Sequence, residues 1–115
     1  MDWEGALEAT GGDRALLQIV AKTALEEIPR LMVAIGEAVA QRNSAALRLA
    51  AHTLQGAVRY FGPTPVFEQT CLLEKVGQEG RMDDAPAMLT VLKGEIERLS
   101  DALARHASEA TTRSG

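Results

Sequence analysis

Asn43–Gly62, NSAALRLAAHTLQGAVRYFG, decides how the rest of this 115-residue chain is read. Leu47, Ala51, Leu54, Val58 and Phe61 recur at spacings of three and four, the period of one apolar helix face. A helix turns by about 100° per residue, so these side chains form a single stripe, and His52 falls roughly 140° from its centre. His52 therefore points outward, with Arg48, Gln55, Gly56 and Arg59 as its neighbours on the helix surface. Gly56 runs against helix propensity, because a mid-helix glycine costs about 1 kcal/mol relative to alanine. The missing side chain leaves room for something large to approach His52.

Working outward, Asn43 is the N-cap of this helix, and Arg42-Asn43-Ser44 is a tight connection to a longer helix before it. That helix opens at Asp13 and runs to about Gln41. Its expected apolar set is Leu16, Ile19, Val20, Leu25, Ile28, Leu31, Met32, Ile35 and Val39, with a kink where Pro29 removes a backbone hydrogen bond. Residues 2–9 form a short helix, in which Trp3 and Leu7 can close one end of a bundle, and Thr10-Gly11-Gly12 breaks it. On the other side, Gly62-Pro63-Thr64-Pro65 ends the His52 helix and caps the next, from about Pro65 to Gln78, with Gly77 and Gly80 punctuating its end. This helix is expected to bury Val66, Phe67, Thr70 or Cys71, Leu73 and Val76. A last helix begins at Asp83-Asp84 and Pro86, with Leu89, Leu92, Ile96, Leu99 and Leu103 as a heptad-like seam. The tail 107–115 is small, polar and expected to be disordered. No stretch alternates with period two, so the fold class is all-α: an up-and-down four-helix bundle with a short N-terminal helical cap, over residues 1–106.

Composition narrows the function. Aromatic residues are only 3 % of the chain, so the core is built from aliphatic side chains. No run approaches the ~20 apolar residues of a membrane span, and the N-terminus lacks the basic and apolar regions of a signal peptide. Cys71 is the single cysteine, which excludes an intrachain disulfide and a cysteine-rich metal site. A reduced, cytoplasmic setting is expected. The net charge of −4 argues against general nucleic-acid binding. Yet residues 41–62 carry Arg42, Arg48 and Arg59 and no carboxylate, leaving −7 on the rest of the chain. This basic strip suits a small acidic partner surface, though it is also what a solvated helix face with extra arginine looks like.

For chemistry, His52 is the strongest candidate, since a neutral imidazole is a competent nucleophile near its ordinary pKa of about 6.5. No Walker-type loop or GxGxxG is present, so no ATP-dependent kinase activity is expected. His52 and His106 sit in separate helices and make a poor metal site. His106, near the end of the last helix, is expected to offset the helix dipole, and Cys71 to be a small core residue.

Ala51-His52-Thr53-Leu54-Gln55-Gly56, with Gly62 six residues further on, resembles the signature of histidine-containing phosphotransfer (HPt) domains. Gly12-Asp13, Pro29 and Leu73-Glu74 match outside it, so the resemblance spans roughly residues 5–103. It implies a phosphorelay intermediate that accepts a phosphoryl group from a receiver-domain aspartate onto His52 and transfers it to another. Implied partners are the receiver domains of response regulators or hybrid sensor kinases, met by a monomer. No cofactor is implied for the chain itself, and the Mg²⁺ of the reaction belongs to the receiver. Gln55 departs from the family, which mostly carries lysine there to help neutralise the phosphohistidine. Arg48, one turn before His52, and Arg59, two turns after it, are candidates to supply that charge, or are plain solvated arginines. Glu74 stands where the family often places a polar residue near the ring; it either fixes the imidazole tautomer or is an ordinary surface glutamate. The alternative function is a helical docking domain for receivers or partner helices that carries no phosphate.

Overall fold

The structure, a computed structural model, describes residues 3–62 and 64–113, with side chains through 106. Met1, Asp2, Pro63, Ser114 and Gly115 lie outside the described residues, and with them the expected first residue of the N-terminal helix and one proline of the 62–65 turn. The elements are α1 (Trp3–Ala9), α2 (Arg14–Ala40), α3 (Ser44–Val58), a 3-10 turn (Arg59–Phe61), α4 (Pro65–Glu79) and α5 (Ala85–Arg113). The described residues are all-helical, with no strand among them.

Capping chemistry sets the boundaries. The Asp13 carboxylate accepts from the Leu16 N–H at 3.0 Å, and Asn43 Oδ1 accepts from the Ala46 N–H at 3.1 Å, each satisfying a first-turn donor with no helical partner. Thr64 Oγ1 does the same for Phe67 N–H at 3.2 Å, and Pro65 occupies the first helical turn. Gly80 ends α4 in the left-handed region, φ 73°, where glycine carries no steric penalty. α2 runs unbroken through Pro29.

The α3 stripe packs as its spacing predicts: Leu47, Ala51, Leu54, Val58 and Phe61 are all fully buried. The α5 seam of Leu89, Leu92, Ile96, Leu99 and Leu103 is buried as well. α2 differs in its first half. Leu16 and Ile19, expected in the core, are 43 % and 61 % exposed, while Leu17, Ala21 and Ala24 are buried. The first turns of α2 are apolar nearly all round, so their periodicity admits more than one stripe. Packing takes Leu17, Ala21, Ala24, Ile28, Ile35 and Ala38, a heptad-like register whose alanines let neighbouring helices come close. In α4 the choice between Thr70 and Cys71 falls to Thr70, fully buried with its hydroxyl donating to the Phe67 carbonyl at 2.7 Å. Phe67 and Cys71 are only partly buried.

α3 packs between α2 and α4, and α5 closes the circuit by contacting both α2 and α4. α1 lies on the 3-10 turn and α2. The Trp3 ring stacks on His106 of α5, with centroids 4.2 Å apart and planes 5° from parallel. His106 is thus part of the contact that holds the first helix, a role its place near a helix end does not disclose. α5 itself continues to Arg113, past Ala107, where the sequence reading begins a disordered tail. Ala107, Glu109 and Ala110 are helix formers, and no breaker precedes Gly115.

Candidate functional site

The site lies where α3 and α4 face each other. His52 leaves the buried stripe of α3 and keeps its side chain 71 % exposed, as the helical arithmetic requires. Its Nδ1 stands 3.0 and 3.1 Å from the two carboxylate oxygens of Glu74 on α4. An ionised carboxylate can only accept a hydrogen bond, so in the neutral imidazole Nδ1 carries the ring hydrogen and Nε2 keeps its lone pair. Nε2 makes no hydrogen bond within the described residues. Of the two readings open for Glu74, the geometry places its carboxylate on the imidazole.

Three contacts order the interface. Gly77 of α4 meets the backbone of Ser44 and Arg48, Glu74 meets His52, and Cys71 meets Gln55. Residue numbers fall along α4 as they rise along α3, so the two helices run antiparallel.

Gln55 Nε2 donates to the Cys71 sulfur at 3.1 Å, which turns the amide into a cleft between the helices. That cleft, about 470 Å³, is lined by Gln55, Cys71, Glu74, Lys75, Gln78 and Glu79. Burial, and after it the negative charges of Glu74 and Glu68, push the Cys71 thiol up from its ordinary value. It stays protonated near neutral pH and serves as a partner for Gln55 and not as a nucleophile. Sequence reasoning placed Cys71 in the core and missed this contact.

Gly56 is exposed, and a Cβ built on it would meet nothing within 4 Å. No neighbour in the fold requires glycine there. Arg48 and Arg59 are exposed, and neither forms an ion pair with another described residue. Arg59 opens the 3-10 turn instead of continuing α3. Leu49, one turn before His52, is 69 % exposed and adds an apolar element to this face that the sequence reading did not single out. Among the described residues no group of three or more His, Cys, Asp or Glu side chains is placed to hold a metal ion. No helix formed by them is long and apolar enough to cross a membrane.

The Hpt domain family model matches residues 20–102, which include the whole of α3 and α4. The chain therefore belongs to the Hpt domain family, the histidine phosphotransfer modules of two-component phosphorelays. Its fold is similar to the crystal structure of histidine-containing phosphotransfer protein B (HptB) from Pseudomonas aeruginosa PAO1. The TM-score is 0.86 at 16 % identity, covering 95 % of each chain. No curated protein sequence matches this chain.

Proposed function

We propose that His52 is the phosphoacceptor of a multistep phosphorelay, taking a phosphoryl group from one receiver-domain aspartate and passing it to another. The observation that carries this reading is the exposed imidazole whose Nδ1 is held by Glu74, so that Nε2 faces outward as the nucleophile. In the forward step the Nε2 lone pair attacks phosphorus of the receiver's acyl phosphate. The P–N bond forms, the P–O bond to the aspartyl group breaks, and the receiver recovers its carboxylate. The ring gains positive charge as the bond forms, and the Glu74 carboxylate beside Nδ1 offsets it. Return transfer to a second aspartate reverses each change. Mg²⁺ is expected on the receiver, and no cofactor of this chain enters the step.

In this reading α2 to α5 form an up-and-down bundle capped by α1, and the protein is expected to act as a cytoplasmic monomer. Gly56 leaves the approach to His52 open, while Arg48, Arg59 and Leu49 offer charge and apolar surface for a receiver to dock on. Incubation with phosphorylated receivers, followed by a test for acid-labile, base-stable label, decides the matter. A docking domain that carries no phosphate would acquire no label at all.

The Gln55 departure has its own test. A lysine at 55 would bring positive charge into the cleft beside Glu74 and His52, where exposed pairs are worth a few tenths of a kcal/mol, roughly, and hydrogen bonds to phosphate somewhat more. Gln55→Lys is expected to shift the equilibrium toward phospho-His52 by a few-fold, and Arg59→Ala to shift it the other way if Arg59 supplies the compensating charge. Both equilibria are measured against one phosphorylated receiver. If neither moves, the charge on this face serves docking alone.

A further inference from the structure

At Gly77 the α4 backbone lies hard against that of α3. A Cβ there would lie 2.8 Å from both the Ser44 carbonyl oxygen and the Arg48 amide nitrogen, and 3.1 Å from the Arg48 Cα. All three are backbone atoms, which cannot swing aside as the end of a side chain can. Gly77 is buried and follows Thr70 and Leu73 at helical spacing, so it occupies the seam of α4. Its place is one turn from Glu74, and Arg48 is one turn from His52. This close backbone approach and the carboxylate–imidazole contact are therefore adjacent rungs of one antiparallel interface.

We propose that Gly77 is a positioning residue: by letting the α4 backbone rest on α3, it brings the Glu74 carboxylate within hydrogen-bond reach of His52 Nδ1. The inference rests on the phosphotransfer reading only for its consequence, since the tautomer it concerns exists without phosphate. Ordinary van der Waals contact for a Cβ starts at 3.4 Å, so a methyl group at 77 must part the helices by about 0.6 Å from the Ser44 oxygen and the Arg48 nitrogen. The same displacement at the next rung would carry a bond of 3.0 Å to distances where side chains no longer hydrogen-bond. Without its acceptor, the ring is free to place the hydrogen on Nε2, the nitrogen that must attack.

The test is nitrogen NMR of the His52 ring in the full chain, for the wild type, Gly77→Ala, Glu74→Ala and the double variant. The expected result is an Nδ1–H imidazole in the wild type and a shift toward Nε2–H in Gly77→Ala, matching Glu74→Ala. The double variant should go no further. Transfer from a phosphorylated receiver should fall by about tenfold in each, the factor that loss of one charge-assisted hydrogen bond corresponds to. A wild-type tautomer in a folded but destabilised Gly77→Ala would overturn the proposal and leave Gly77 a packing residue only. Should that variant unfold alone, the spectrum is taken in trimethylamine N-oxide, which favours the compact state. An unlabelled wild type with the expected tautomers would sink the phosphotransfer reading and not this one.

Discussion

His52→Gln is expected to fold as the wild type does and to accept no phosphoryl group. The side chain is 71 % exposed and lies off the buried stripe, so its replacement by glutamine, a better helix former than histidine, should change stability by no more than about 0.5 kcal/mol. Glutamine can still meet the Glu74 carboxylate through its amide, but it offers no nucleophilic nitrogen. Circular dichroism and a denaturation midpoint establish the fold, and label from a phosphorylated receiver reports the chemistry. His106→Gln is the control. It should take label like the wild type, yet lose the stack on Trp3, worth about 0.5–1.5 kcal/mol for an aromatic pair. Label persisting on the His52 variant would place the phosphoacceptor elsewhere in the chain.

Gly56 is expected to separate docking from folding. Nothing stands within 4 Å of a Cβ at this position, so Gly56→Ala should raise stability by up to about 1 kcal/mol through helix propensity. Gly56→Leu should fold equally well, because leucine is also a strong helix former and the position is open. It places a bulky side chain one turn from His52, where an incoming receiver must bring its phosphoryl group to Nε2. Since a misplacement of about 1 Å can cost on the order of a hundredfold, transfer to Gly56→Leu should slow by about that factor. Rates measured with a single receiver, set against denaturation midpoints, give both halves of the comparison. A wild-type rate for the leucine variant would mean that close approach at this point is not needed.

These two residues were legible in the sequence because both stand out from a regular pattern. His52 falls outside an apolar stripe with no gaps, and Gly56 interrupts a helix whose other residues favour it. The N-caps were legible for a similar reason: Asp13, Asn43 and Thr64 carry side chains suited to the first-turn donors they satisfy. The α2 register was not. Leu16, Leu17, Ile19, Val20 and Ala21 allow several stripes, and only packing against the neighbouring helices selects Leu17, Ala21 and Ala24. Contacts across helices were the least visible. Gln55 with Cys71, and Gly77 with Arg48, depend on how two helices cross, which no local period encodes. Gly77 did leave a trace, since it falls on the same spacing as Thr70 and Leu73 and so belonged to the seam and not to the helix end. The Glu74 contact could be suspected only through the family pattern.

Trp3 is the single tryptophan of the chain, and its indole lies flat on the His106 imidazole. The protein therefore carries its own fluorophore at the seat of α1 on α5, on helices other than the two that bring His52 and Glu74 together. Indole emission responds to its surroundings, so detachment of the first helix from His106 is expected to change it and can be watched by light without a label. A receiver binding at His52 without disturbing α1 leaves the signal flat, while one that lifts the cap changes it. The indole thus reports release of α1 apart from any event confined to His52.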